Sequence, residues 1–363
     1  MKNIGIDISH YDTLSGYGIV TKNIIDRVVE NKDYNFFLFS NREVKNKNMF
    51  ENRDNIKIII TKGVNYLFYR FFFQIFLLKR HKIDILFTLD QYLPLIKVCK
   101  YICVIHDIEG RKKHHGIKKF FYNIKTYGII SIWPYFYSLN IDQLSNANAD
   151  EIICPSEYTK ENLIKYYFKN KEKHINVINR GIDHEQGSKI DDKENNYILF
   201  PFCHAFYDDF MDKLAKRILE KGLTKKIIFF KPSGKYFNLK ESKQIDIIQK
   251  TISNKEKDEL FSKAFLCIYI STGDGFGFTP LESMVHGIPI IFNDNSCLNE
   301  ISGDGGLCLP RKIDTFLDRI EKLVENREYY TSIVEKGMKH IKKFKRDKTV
   351  SGIYRIFEHI TKE

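Results

Sequence analysis

The stretch Ser271–Pro310, STGDGFGFTPLESMVHGIPIIFNDNSCLNEISGDGGLCLP, reads as a strand exit, a glycine loop, a helix, a strand and a second loop. Before it, Phe265–Ile270 (FLCIYI) is a short apolar run, as a strand buried in a parallel sheet should be. Gly273, Gly275 and Gly277 let the backbone turn sharply and approach a ligand without interference from a Cβ. The spacing predicts a helix from near Pro280 with Thr279 as its cap, stopping at Gly287, and a second buried strand over Ile288–Phe292. A glycine loop that opens onto a helix N-terminus presents backbone N–H groups to a phosphate or to sugar hydroxyls. Two carboxylates bracket the turn, Asp274 in the loop and Glu282 in the helix.

This arrangement resembles the signature of the retaining GT-B glycosyltransferases of family 4 (glycosyltransferase group 1). Their pattern sets two glutamates seven residues apart within E-G-F-G-x-x-x-x-E-A-M-A-x-G-x-P-V-I. Here the matching residues are Asp274-Gly275-Phe276-Gly277 and Glu282-Ser283-Met284-Val285-His286-Gly287-Ile288-Pro289. Asp274 stands where the family has its first glutamate, with the spacing kept. Glu300-Ile301-Ser302-Gly303-Asp304-Gly305-Gly306 is similar to the family's E-x-x-G-D-A-G. The plainer reading is a nucleotide-fold loop with a solvated Asp and a helix-stabilising Glu; the composite of several fixed positions favours the resemblance.

A chain of 363 residues suits two domains rather than one core. Its 43% hydrophobic and 29% charged residues exclude a disordered or fibrous chain. No apolar run reaches the roughly 18 residues of a membrane span, and Met1-Lys2-Asn3 leads straight into a strand-like Ile4–Ile8. Seven scattered cysteines, without a CxxC pair, read as thiols in a reducing cytosol. The reading is therefore a cytoplasmic chain. A net charge of +12 fits nucleic acid, an anionic membrane or an anionic nucleotide-sugar, while AT-rich codon usage produces the same excess of lysine without a function.

From the N-terminus, strands at Ile4–Ile8, Tyr34–Phe39, Ile56–Ile60, Ile83–Leu89 and Tyr101–Ile105 alternate with helices. That alternation argues a doubly wound parallel sheet, which binds ligands beyond the carboxyl ends of its strands. Ser15-Gly16-Tyr17-Gly18 lies at such an end and resembles the family's G-G-I-G loop, which meets the donor's phosphates or the acceptor. Tyr66–Leu78 (YLFYRFFFQIFLL) is expected to be a helix buried on most sides rather than one touching lipid. His106-Asp107 matches the family's H-D motif, which makes His106 a catalytic candidate at the donor sugar.

Arg111–Lys119 (RKKHHGIKK) with Phe120, Phe121 and Tyr122 is basic and aromatic. It fits peripheral contact with the inner face of a membrane, or a solvated basic face. No nucleic-acid-binding spacing accompanies it, so no nucleic acid partner is expected. Ser156 is a helix N-cap, and Asn179-Arg180-Gly181-Ile182-Asp183 is similar to the family's P-N-G-V-D turn. The expected domains are 1–183 on the acceptor side and 197–346 for the nucleotide-sugar, joined by a linker over 184–196. A helix over 347–363 is expected to cross back to the first domain.

In the second domain Pro201–Phe210 lacks the Arg and Lys with which the family clamps the donor's diphosphate, and Lys231 after the next strand is the substitute candidate. Ser253 and Glu256 have capping-box spacing before a helix over Glu256–Ala264. The resemblance implies two Rossmann-like domains facing each other across a cleft. It implies a hexose moved from a nucleotide-sugar donor to a glycan, lipid-linked or polysaccharide acceptor, with no metal. Asp274 would then hold the donor sugar with Gly275, Phe276, Gly277 and Phe278 around it, and Glu282 would hold the ribose. The alternative is a catalytically weakened transferase-like binding subunit.

Overall fold

The computed structural model describes residues 1–13, 16–108, 147–168, 174–182, 197–201, 209–230, 240–271, 273–294 and 296–362. Ser15, Lys231, the basic stretch Arg111–Lys119 and the linker 184–196 lie outside the described residues. The chain divides into two units. Unit 1 is Met1–Gly181 with Arg346–Glu363, and unit 2 is Ile182–Lys345.

Among the described residues unit 1 carries seven strands: β1 (Lys2–Asp7), β2 (Tyr34–Ser40), β3 (Ile56–Ile60), β4 (Ile85–Thr88), β5 (Lys100–Val104), β6 (Glu151–Cys154) and β7 (His174–Val177). They form one sheet in the order β3-β2-β1-β4-β5-β6-β7, with every pair parallel. Ile4, Ile6, Phe36, Leu38, Ile85, Phe87 and Ile102 are buried. Runs of this kind are apolar on both sides because helices cover both faces of a parallel sheet. Each fully buried Ile, Leu or Phe contributes about 1.5–3 kcal/mol. The last helix, Arg346–Lys362, docks on this unit. Its Thr349 hydroxyl accepts from Gly181 N and donates to the Asn179 carbonyl, both at 2.8 Å. Its Tyr354 hydroxyl donates to the Val28 carbonyl at 2.8 Å.

Unit 2 carries β8 (Ile198–Phe200), β9 (Ile227–Phe230), β10 (Ile245–Ile248), β11 (Leu266–Tyr269), β12 (Ile290–Asn293) and β13 (Leu307–Leu309). Their order is β10-β9-β8-β11-β12-β13, again all parallel. Helix Asp209–Glu220 buries Met211, Leu214, Ala215 and Ile218 against a core that includes Phe200, Phe229, Phe316 and Tyr330. In both sheets the order reverses between the first strand and the fourth, β1/β4 and β8/β11. Ligands of doubly wound sheets bind beyond the strand ends at this switch point.

The helical run Tyr66–Phe68, Tyr69–Phe73 and Gln74–Arg80 corrects one expectation. It buries Tyr69, Arg70, Phe71, Gln74, Leu77 and Leu78, yet Phe68, Phe72 and Phe76 face outward. Composition alone does not assign an aromatic-rich helix its outer face. The described cysteines are free thiols, Cys99 and Cys308 half-buried and the others buried.

Candidate active site

The glycine loop leaves the carboxyl end of β11 at the switch point of unit 2. Asn293, at the end of β12, braces its first residue: Ser271 N donates to Asn293 Oδ1 at 2.8 Å, and Asn293 Nδ2 donates to the Ser271 carbonyl at 2.9 Å. Asp274 then folds its carboxylate back over the loop. Oδ1 accepts from Phe276 N at 3.3 Å and Gly277 N at 3.1 Å, and Oδ2 accepts from the Tyr269 hydroxyl at 2.9 Å. A carboxylate offers about four lone-pair sites, and these bonds use three. Burial and the charge of Asp274 push the Tyr269 phenol well above its ordinary pKa, so it remains a donor.

Gly277 has φ +82°, and a Cβ there would lie 2.5 Å from Leu298 Cδ2, so only glycine fits. The helix that follows is Phe278–Val285. It starts two residues before the expected Pro280, and Thr279 is buried inside its first turn instead of capping it. Left-handed Gly277 takes the N-cap position without a side-chain cap, the Asp274 carboxylate holds the two residues before the helix, and Pro280 still sits where its missing N–H costs no bond. Gly287, with φ +63°, ends the helix as the sequence predicts. Phe276 is buried and meets Phe278 edge-on at 5.0 Å.

Glu282 lies farther along the helix, with Oε1 at 2.6 Å from Lys257 Nζ. Burial raises the Glu282 pKa, and Lys257 opposes that rise. Lys257 belongs to helix Asn254–Ser262, whose Ser253/Glu256 capping box forms as the spacing predicts. On the same helix Asp258 meets His286 Nε2 at 3.4 Å, and Phe261 stacks on the His286 ring. Sequence reasoning missed both Tyr269 and Lys257. A phenol ending an otherwise aliphatic strand was the available signal for Tyr269; Lys257 gave none.

His106 follows β5 in unit 1. Its Nε2 donates to the Leu89 carbonyl at 2.5 Å, and the Arg180 guanidinium donates to Nδ1. Both ring nitrogens are thus engaged within unit 1, and Arg180 is a second partner the sequence did not single out. Gly16, Tyr17 and Gly18 form the first turn of helix Gly16–Val28 rather than a loop. A Cβ on Gly18 would collide with Thr13.

At the switch point of this sheet stands a network unforeseen from sequence. Arg70 is fully buried, pairs with Asp7 Oδ2 at 2.7 Å and with Asp90, and donates to the Tyr92 carbonyl. Gln74 Nε2 donates to Asp7 at 3.1 Å, and the Tyr66 hydroxyl donates to Asp90 at 2.9 Å. His10 Nε2 lies 3.0 Å from the Tyr66 hydroxyl. Its pKa is lowered by burial against the pull of Asp90 and Asp7. Among the described residues no group of three or more His, Cys, Asp or Glu is placed to hold a metal ion.

The chain resembles known proteins along most of its length. An uncharacterised glycosyltransferase of Methanocaldococcus jannaschii is 27% identical over 230 residues, which cover 60% of this chain and 62% of that protein. The chain thus matches about three fifths of that relative's length. Sucrose-phosphate synthase from Thermosynechococcus elongatus superposes with a TM-score of 0.70 at 12% identity, covering 99% of each chain. Anabaena HepE, solved with UDP and glucose, superposes with a TM-score of 0.67 at 14% identity, again over 99% of each chain. The family model described as Glycosyltransferase Family 4 matches residues 32–186, and the one described as Glycosyl transferases group 1 matches residues 209–340. With one model over each parallel-sheet unit, the chain belongs to the family 4 glycosyltransferases and has the GT-B fold.

Proposed function

We propose that the enzyme moves a hexose from a nucleotide-sugar to a hydroxyl of a glycan, lipid-linked or polysaccharide acceptor, with retention of configuration at the anomeric carbon. The observation that carries this reading is the Asp274–Glu282 pair at the switch point of the unit 2 sheet, one carboxylate held by loop amides and Tyr269, the other by Lys257. Asp274 accepts from hydroxyls of the donor sugar through its remaining acceptor capacity. Glu282 takes the ribose hydroxyls, a bidentate task that suits a carboxylate. Asp is one methylene shorter than the family's glutamate, about 1.5 Å, and a misplacement near 1 Å can cost about a hundredfold in rate. Tyr269, by fixing the shorter side chain, supports a sugar position adapted to that reach. The transferred sugar passes through an oxocarbenium-like state, so this reading requires neither a nucleophile–base pair nor a resident metal.

HepE was solved with UDP and glucose, which makes UDP-glucose the first donor to test. A thermal-shift panel of UDP-, GDP-, ADP- and CMP-sugars should give one stabilising donor, with about 2.7 kcal/mol at a hundred times its Kd. Asp274→Ala and Glu282→Ala should abolish that shift, and turnover should survive EDTA. Binding that persists in both variants would exclude this site. The absence of Arg and Lys from Pro201–Phe210 favours one second reading, a weakened binding subunit. Turnover of any donor to a glycosylated acceptor rules it out.

A further inference from the structure

A helix at a protein surface normally turns apolar residues inward and charged ones to water. Helix Asn254–Ser262 buries Leu260 and Phe261, yet Lys257, three and four residues before them, shares that inner face. Lys255, Glu256, Asp258 and Glu259 are exposed, while Lys257 is half-buried. Its ammonium meets Glu282 Oε1 at 2.6 Å, and its neighbour Asp258 turns to His286 instead. Glu282 is placed to match. Its helix, Phe278–Val285, buries Thr279, Pro280, Leu281, Ser283 and Met284. Phe278 and Glu282 are half-open and share a face, so the carboxylate stands one turn beyond the end of the Asp274 loop.

Stability alone does not call for this pair, because apolar side chains of similar volume can hold two helices together as well as a buried ion pair does. The pair also has bonding capacity to spare. Glu282 Oε2 bonds no described residue, and of the three N–H donors of an ammonium Lys257 uses one, on Glu282. A carboxylate only accepts, an ammonium only donates, and a hydroxyl does both. Side by side, the two charges complement a vicinal diol: each hydroxyl donates to Glu282, and the oxygen nearer Lys257 accepts from the ammonium. Burial raises the Glu282 pKa and Lys257 opposes that rise, which favours the acceptor-only form that a diol needs.

We propose that Lys257 is a nucleotide-selecting residue: with Glu282 it reads the 2′,3′-diol of the donor from both sides, so the donor is a ribonucleotide sugar and its 2′-deoxy counterpart is rejected. This rests on the reading that Glu282 takes the ribose hydroxyls, and extends it to a second side chain and to the pentose of the nucleotide. A ligand that lacks a hydroxyl leaves a charged partner unpaired, which a site built for that hydroxyl penalises.

The test is calorimetric titration of the full chain with UDP, GDP, ADP and CMP, followed by the 2′-deoxy and 3′-deoxy forms of whichever nucleotide binds most tightly. In the wild type each deletion should weaken binding about tenfold or more. Lys257→Met should cut at least one of these two penalties about fivefold or more, and Glu282→Gln should reduce both. Lys257→Ala makes the same comparison should Lys257→Met fold poorly. Ratios within one variant are the readout, because losing a mere brace between two helices would weaken all three ligands alike. The proposal is overturned if the wild type binds the 2′-deoxy form as tightly as the ribonucleotide, or if both penalties survive unchanged in the Lys257 variants. In the second case, reduced penalties in Glu282→Gln would leave the ribose reading intact, with Glu282 acting alone. If Glu282→Gln also preserves them, or if the wild type binds no nucleotide, the ribose reading falls and the proposal with it.

Discussion

The two switch points are built in opposite ways. In unit 2 the Asp274 carboxylate is held by Tyr269, Phe276 and Gly277, all within five residues of it. In unit 1 Arg70 reaches Asp7, 63 residues away, and Asp90, 20 residues away, while His106 meets Leu89 at 17 residues and Arg180 at 74. Bonds of short reach leave a spacing in the sequence, because turn geometry dictates which residue types stand there. Bonds of long reach leave only isolated polar residues, each unremarkable among its neighbours.

This contrast predicts where substitutions do most harm. Arg70→Met strands two carboxylates in the core, and urea unfolding should show a loss of about 3–5 kcal/mol. Replacing Asp7 and Asp90 by apolar residues in the same variant should recover much of it. A loss below about 1 kcal/mol, the value of a surface pair, would mean that the unit 1 network bears no more load than the unit 2 loop.

The local site should respond less. Tyr269→Phe removes one bond to the half-buried Asp274 and should cost about 1–2 kcal/mol. Its kcat/KM should fall further than its stability, as expected of a group that positions a carboxylate. Gly277→Ala forces a left-handed residue against Leu298 and should cost about 1–3 kcal/mol, of which Leu298→Ala relieves only the contact. If Tyr269→Phe proves as damaging as Arg70→Met, reach along the chain is not what separates the two sites.

Smallest is a pH effect at Glu282. Its pKa in the folded protein is raised, so the folded state holds the proton more tightly than the unfolded state does. Its contribution is therefore full below the ordinary glutamate value and is lost as pH rises through the raised value. Glu282→Gln should flatten this segment of the stability–pH curve, and Lys257→Met should extend it upward. A curve unchanged in Glu282→Gln would show that Lys257 fully cancels the burial.

Much of the fold was legible. Strands Ile56–Ile60 and Ile227–Phe230 match their apolar runs, and Ser156 and Ser253 cap their helices as read. Helix Asp209–Glu220 is legible in the helical spacing of Met211, Leu214, Ala215 and Ile218. Strand Ile245–Ile248 has four residues, one of them Asp246, and no alternation to mark it. The helix starts at Phe278 because Gly277, with positive φ, takes the N-cap position and leaves Thr279 buried in the first turn.

By itself the sequence determined two parallel-sheet units and the glycine turn that carries Asp274 and leads to Glu282, since both follow from periodicity and from turn geometry among near neighbours. The tertiary structure alone decided that His106 is held at both nitrogens, that Arg70 joins Asp7 and Asp90, that Lys257 meets Glu282, and that Phe68, Phe72 and Phe76 face outward. Periodicity tells which residues resist water, but whether a side chain finds a partner or a cover depends on which distant segment the fold lays against it.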